Sequence, residues 1–130
     1  MIIPRYTRSI PQRARLEAGK CENCGYIAFP PRLVCPECKN QKFVQVNLNA
    51  HGKILTYTIQ HVAAESFATQ TPFAVGIIET TDGARLTAQI VDCKMEELEI
   101  GKEVKLMLRC IQKEGHAGTL QYGYKAVLDR

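Results

Sequence analysis

The amino-acid sequence predicts a mainly β protein, and two patterns in its 130 residues carry that prediction. Two Cys-x-x-Cys pairs stand near the N-terminus with ten residues between them. From about residue 43 onward, apolar and polar residues alternate with a period of two, which is typical of half-buried strands. Three parts are therefore expected: an N-terminal helical arm over 1–19, a rubredoxin-like zinc ribbon over 20–45 and a five-stranded barrel over 46–130.

The composition is that of a globular protein, with 45% hydrophobic and 23% charged residues. No apolar run approaches the roughly 18 residues of a membrane-spanning helix, and the N-terminus lacks the apolar stretch of a signal peptide, so a cytoplasmic protein is expected. Residues 1–45 hold eight Lys and Arg against three Glu, whereas residues 46–130 hold nine against ten acidic residues. The excess positive charge is therefore confined to the first 45 residues, which is not typical of a nucleic-acid-binding protein with an evenly basic surface.

The arm is expected to contain a short helix. The stretch QRARLEAG, between Pro11 and the first cysteine pair, is expected to form a helix that ends at Gly19. A basic arm is often only a solvated face, and the alternatives are contacts with a partner protein, a phosphate-bearing small molecule or nucleic acid. The arginines concerned are Arg5, Arg8, Arg13 and Arg15.

The two cysteine pairs predict a structural metal site. Each pair can wrap a turn around one point, and two such turns complete a tetrahedron of thiolates with no open position for a catalytic water. Zinc is the expected ion, iron in a rubredoxin-like site is the competitor, and two disulfides are disfavoured in a cytosolic chain. The predicted ligands are Cys21, Cys24, Cys35 and Cys38. Cys110 is interpreted as a small buried hydrophobic residue and Cys93 lies at a strand end, and neither is expected to be a nucleophile.

Five strands are expected after Gly52, with one helical turn, MEEL, between the third and the fourth. Periodicity alone allows an antiparallel barrel or a sandwich, and the position of this turn favours the OB barrel. The dipeptide Asp82-Gly83 predicts a two-residue hairpin turn. The faces predicted to be apolar are Leu55/Tyr57/Ile59/His61, Phe73/Val75/Ile77, Leu86/Ala88/Ile90, Val104/Leu106/Leu108/Cys110 and Leu120/Tyr122/Tyr124/Ala126/Leu128.

The sequence contains no recognisable catalytic pattern. A nucleophile needs a neighbouring base, and of the three histidines His51 and His116 lie beside glycines in expected turns, while His61 is expected to face inward. An OB barrel behind a ribbon is also compatible with binding of single-stranded nucleic acid. That function needs a basic groove with aromatic platforms, whereas residues 46–130 are slightly acidic and Trp is absent.

Several segments resemble the zinc-ribbon/OB-fold proteins associated with acyl-CoA metabolism, a family long described as a domain of unknown function. They are KCENCGYIAFPPRLVCPEC, LTYTIQH, AVGIIE, LTAQIVD, EELEIG and YGYK, and the likeness runs from about Arg5 to Val127. RSIPQRARL is similar to the helical arm of the archaeal branch, which is encoded with acetoacetyl-CoA thiolase and hydroxymethylglutaryl-CoA synthase of the mevalonate pathway. Where the family commonly has Pro before Glu-Glu-Leu, this chain has Met95.

The resemblance implies a non-catalytic scaffold that holds the thiolase against the synthase and lines a shared channel for coenzyme A. Phe67 and Phe73, in the loop 63–73, would cover the apolar part of the pantetheine arm, and ordinary core packing is their alternative role. Arg32 or the arginines of the arm would meet either coenzyme A phosphates or acidic patches on a partner enzyme.

Overall fold

The computed structural model describes residues 4–113 and 115–129, and the strands among them form two β-sheets. Two short helices open the described chain, and 3₁₀ helices η1 and η2 precede β5 and β7. The elements in chain order are α1 (Pro4–Arg8), α2 (Ile10–Arg15), β1 (Glu17–Cys21), β2 (Ile27–Ala28), β3 (Phe43–Asn47), β4 (His51–Gln60), η1 (Glu65–Gln70), β5 (Phe73–Thr80), β6 (Arg85–Val91), η2 (Met95–Glu97), β7 (Glu103–Lys113) and β8 (Leu120–Leu128).

The first sheet belongs to the ribbon and has the order β2-β1-β3. Both pairings are antiparallel, with Gly19 opposite Ala28 on one side of β1 and Cys21 opposite Phe43 on the other. The cysteine Cys21 therefore ends a strand that is held on both sides. This pairing gives the ribbon a fixed frame for the loops that carry the other three cysteines.

The second sheet is a closed barrel with the order β4-β5-β6-β8-β7, closed by antiparallel pairing of β4 with β7. β6 and β8 are parallel, whereas the other neighbours are antiparallel. η2 lies between the third and fourth strands of the barrel, where the MEEL turn is predicted. The predicted class, a mainly β chain with a zinc ribbon followed by an OB barrel, is confirmed.

The hydrophobic core fills the barrel and continues into the ribbon. Ile54, Ile78 and Val104 are completely buried inside the barrel. Leu16 and Ala18, from the start of the ribbon, belong to the same buried cluster. The two sheets therefore share one core. No helix in the described part of the chain is both long enough and apolar enough to cross a membrane.

The arm contains helix, but it ends earlier than predicted. α2 stops at Arg15 because Leu16 adopts a left-handed backbone with φ of 54°. Residues 17–21 then form β1 and include Gly19, which the sequence places at the helix end. A Cβ at Gly19 would lie 3.3 Å from the Phe43 ring, so the glycine permits close packing on β3. Strand pairing within the ribbon overrides the local helix preference.

The face predicted for β5, Phe73/Val75/Ile77, is wrong. Ala74 and Ile78 on the other side of the strand are completely buried, whereas Ile77 is 39% exposed. Both sides of this strand carry apolar residues, so alternation alone does not show which side faces the core.

The face predicted for β4 is wrong in part because this strand is irregular. A register shift between Ile54 and Thr56 brings Ile54 into the core, while His61, predicted to face inward, is exposed. A β-bulge changes which residues face inward on each side of it. The first barrel strand begins earlier than expected, since Gly52 lies within β4 rather than before it.

The predicted apolar faces of β7 and β8 also hold only in part. Leu106 and Ala126 are buried as predicted, but Leu108 is 52% exposed and Tyr122 is 44% exposed. Lys125, on the opposite side of β8, is buried instead. These departures lie near the register shift between Cys110 and Gln112, and α2 packs against β8.

The hairpin between β5 and β6 forms at the predicted place with a different turn. Of the two central residues, Gly83 alone has a positive φ, at 89°. The Gly83 amide donates to the Thr80 carbonyl, and the Thr80 amide donates to the Ala84 carbonyl. The loop is therefore one residue longer than predicted and places only its glycine in the left-handed region.

Candidate metal centre and groove

The four predicted cysteines come together at one end of the ribbon. Their Sγ atoms all lie within 4.8 Å of one another, and the Cys21–Cys38 and Cys24–Cys35 sulfur pairs are each 3.5 Å apart. A tetrahedral zinc ion with bonds of about 2.3 Å requires sulfurs about 3.8 Å apart. The donor set and its spacing therefore fit one zinc ion.

The two cysteine turns have the same backbone geometry. The Gly25 amide donates to the Cys21 carbonyl at 3.1 Å, and the Lys39 amide donates to the Cys35 carbonyl at 3.0 Å. Gly25 has φ of 79° and Lys39 has φ of 63°. Each turn thus closes through a left-handed residue directly after its second cysteine, which directs two sulfurs towards one point.

The electrostatics of this cluster favour a cation. The Cys24 amide is the main cause that lowers the pKa of Cys21 to about 6. The Tyr26 amide lowers the pKa of Cys24, but burial and the neighbouring Cys35 thiol outweigh it and raise that pKa to about 12. Four thiolates at this spacing repel one another, so all of them ionise together only when a positive ion lies between them.

A second candidate site is a groove of about 510 Å³ where β6 and β8 separate at one end of the barrel. Phe67 of η1 and Phe73 of β5 meet there with ring centroids 6.1 Å apart. Gln89 donates to Gln70 at 3.0 Å and ties η1 to β6. Among the described residues that line the groove, Arg13 of α2 is the only charged one.

The structure brings together two of the three predicted ligand-contact residues. Phe67 and Phe73 share the groove, whereas Arg32 lies exposed in the ribbon and does not line it. Arg13 supplies the positive charge instead, because α2 packs against β8. The sequence shows Arg13 only as one of four arm arginines, and the packing that selects it is not visible in any local pattern.

Two of the segments that carry the family resemblance meet in space: FPPR, which lies between the cysteine pairs, and YGYK in β8. Phe29 of the first packs on Tyr124 of the second with ring centroids 5.7 Å apart and planes inclined by 56°. Tyr124 also lines the groove. Burial raises the pKa of its phenol and the Arg13 charge acts in the opposite direction. This contact links the ribbon to the wall of the groove.

Two family models match consecutive parts of the chain. Residues 8–44 match the ChsH2 rubredoxin-like zinc ribbon domain, and residues 45–109 match the ChsH2 C-terminal OB-fold domain. The solved structure of an Ltp2-ChsH2(DUF35) aldolase has a similar fold, with a TM-score of 0.73 over 95% of this chain and 90% of that chain at 22% identity.

Related sequences extend over nearly the whole chain. A DUF35 domain-containing scaffold protein of Methanocaldococcus jannaschii is 42% identical over 125 residues, which is 95% of this chain and 89% of the relative. A protein of the same description from Methanothermobacter thermautotrophicus is 39% identical over 122 residues, 93% of this chain and 92% of the relative. The benzoylsuccinyl-CoA thiolase subunit BbsA of Thauera aromatica is 28% identical over 75 residues, 58% of this chain and 51% of BbsA. The chain therefore belongs to the DUF35 family of zinc-ribbon and OB-fold proteins.

Proposed function

We propose that this chain is a non-catalytic scaffold that holds an acetoacetyl-CoA thiolase against a hydroxymethylglutaryl-CoA synthase. The observation that carries the proposal is the 42% identity to a DUF35 scaffold protein along 95% of the chain. A thiolase partner is supported by the relative BbsA, a thiolase subunit. Formation of acetoacetyl-CoA is thermodynamically uphill, so a complex that passes it to a favourable next step keeps its concentration low.

The ribbon holds the metal in this proposal. Cys21, Cys24, Cys35 and Cys38 bind one Zn²⁺, and the ion has a structural role because four thiolates fill its coordination sphere. Zinc fixes the relative position of β1 and the loop 22–42. A scaffold requires such a fixed surface, since each partner enzyme must meet the same geometry each time.

The groove contributes a wall of the coenzyme A channel. Pantetheine is long and carries both methyl and amide groups, and Phe67, Phe73 and Tyr124 offer apolar area beside glutamine side chains that exchange hydrogen bonds with amides. Arg13 lines the same groove, and in this proposal its guanidinium binds a phosphate of coenzyme A. In this arrangement Arg32 is free for contact with an acidic patch on a partner enzyme.

Size-exclusion chromatography of the three proteins tests the scaffold role. The chain, loaded with zinc and mixed with the thiolase and synthase of the same organism, is expected to elute with both enzymes as one complex. Without the chain the two enzymes are expected to separate. The proposal is wrong if they co-elute equally well in both mixtures.

Charge variants of the arm refine this test. Arg5 and Arg8 are exposed on α1, and the double substitution Arg5→Ala/Arg8→Ala is expected to weaken assembly without loss of zinc. Lys53→Ala/Lys105→Ala removes two exposed charges from the other end of the barrel and is the matched control. Equal weakening by both pairs would assign the effect to overall charge rather than to docking of the arm.

A further inference from the structure

β6 and β8 are paired over only a short length. Their parallel ladder consists of Ile90 opposite Ala126 and Val91 opposite Val127. Continued towards the start of both strands, the same register would place Arg85 opposite Gln121. The strands separate instead, and the groove occupies the space between them. We refer to this unpaired stretch of the barrel wall as the seam.

The Tyr6 hydroxyl takes the place of the missing strand on the β8 side of the seam. It donates to the Leu120 carbonyl at 3.3 Å and accepts from the Tyr122 amide at 3.2 Å. In a parallel sheet, one residue of a strand bonds to two residues of its neighbour. These are the carbonyl just before and the amide just after the residue that lies opposite it. Here that opposite residue is Gln121.

The two helices of the arm bury little surface of their own, although α2 packs against β8. α1 has five residues and α2 has six, neither contains a buried residue, and Ser9 makes no capping bond with its side chain. Helices this short are not stable without tertiary contacts. The Arg13 guanidinium lies 5.7 Å from the centre of the Tyr6 ring and so joins the two helices, and Arg13 and Gln12 line the groove.

We propose that the arm, residues 4–15, is a strap that closes the seam, with the Tyr6 hydroxyl as its latch. Release of the latch uncovers the Leu120 carbonyl and the Tyr122 amide and moves Gln12 and Arg13 away from the groove, which then widens. This device goes beyond the scaffold role because it sets when the groove is accessible. It rests on the hydrogen bonds of Tyr6 and does not depend on which ligand the groove binds.

Amide hydrogen exchange in the full, zinc-loaded chain tests the strap. Tyr6→Phe keeps the ring and its contact with Arg13 but removes the hydroxyl. The Tyr122 amide is expected to exchange about tenfold faster in this variant, and trypsin is expected to cleave after Arg13 and Arg15 faster by a similar factor. Tyr57→Phe is the matched control, because it removes a hydroxyl that donates to the Leu98 carbonyl at 3.1 Å elsewhere on the barrel.

The control is expected to leave both the Tyr122 amide and the arginine cleavage rates unchanged. Unchanged exchange at Tyr122 in Tyr6→Phe would overturn the strap. So would an equal acceleration along all strands of the barrel, since that result would indicate general destabilisation rather than local opening. Neither outcome bears on assembly with the two enzymes, which is measured separately by chromatography.

Discussion

The ribbon and the barrel are stabilised by different chemistry, although they share one core. Within the barrel, Ile54, Ile78 and Val104 are completely buried. In the ribbon the largest of the fully buried side chains are those of Cys21 and Cys35, and Leu33 in the loop between the cysteine pairs is 89% exposed. The barrel therefore gains its stability from apolar burial, whereas the ribbon depends on what its cysteines bind.

The largest expected effect is that of zinc removal. Chelation should unfold residues 17–47 while the barrel strands remain protected, because the ribbon buries too little apolar surface to fold without its metal. Hydrogen exchange measured by region, together with elemental analysis that gives about one zinc per chain, checks this expectation. Cys35→Ser should have the same effect, and Cys110→Ser is the control that should leave zinc content unchanged. Cooperative loss of both regions would show that the ribbon and the barrel form one folding unit.

A substitution in the barrel core should destabilise the barrel and leave the zinc site intact. Ile78→Ala leaves a cavity in a completely buried position and is expected to cost about 2–5 kcal/mol of unfolding free energy. Val62→Ala, at a site 87% exposed, should change stability by no more than about 0.5 kcal/mol. Denaturant titration gives both values. Zinc content should stay at one per chain in each folded variant. Loss of zinc in Ile78→Ala would contradict the view that the ribbon and the barrel are stabilised separately.

The contact between Phe29 and Tyr124 measures how strongly the two regions are coupled. A double-mutant cycle with Phe29→Leu and Tyr124→Leu is expected to give a coupling free energy of about 0.5–1.5 kcal/mol, the range for aromatic pairs. The same cycle with Phe29→Leu and Tyr57→Leu should give a value near zero. Equal coupling in both cycles would mean that Phe29 acts through general stability rather than through this contact.

The smallest expected effect concerns nucleic acid. Positive charge is concentrated in the first 45 residues, and Arg13 is the only charged residue among the described ones that line the groove. Binding of single-stranded oligonucleotides should therefore be weak at physiological salt, and Arg5→Ala/Arg8→Ala should reduce what remains. Fluorescence anisotropy at two salt concentrations measures both. Submicromolar binding that the arm variant leaves unchanged would favour a nucleic-acid function of the barrel.

The sequence predicts the metal cluster and the succession of barrel strands along the chain well, because both depend on residues that are close together in the sequence. A Cys-x-x-Cys spacing specifies its own turn, and alternation specifies a strand wherever the strand is regular, as in Leu86, Ala88 and Ile90 of β6. Prediction fails where both sides of a strand carry apolar residues, as in β5, and where the alternation is interrupted. The shifts at Ile54/Thr56 and Cys110/Gln112 change which residues face inward, and no residue type in these stretches marks a bulge.

In the candidate groove, too, the sequence predicts contacts between residues that are close in the chain and misses contacts between distant ones. Phe67 and Phe73 are close in the chain, so one loop brings them together and the sequence can nominate both. The pairing of Phe29 with Tyr124 and the bonds of Tyr6 to β8 join residues about 95 and 115 positions apart, and only the folded chain brings them into contact. Arg13 enters the groove, and Arg32 does not, for the same reason.

By itself the sequence determined the family, the four thiol ligands and the mainly β class, since each depends on residue types at short spacing. The tertiary structure decided where the helix ends, which arginine reaches the groove and how the seam between β6 and β8 is closed. These depend on strand pairing and on contacts between distant segments, whose free energies outweigh the weak local preferences of a five- or six-residue helix.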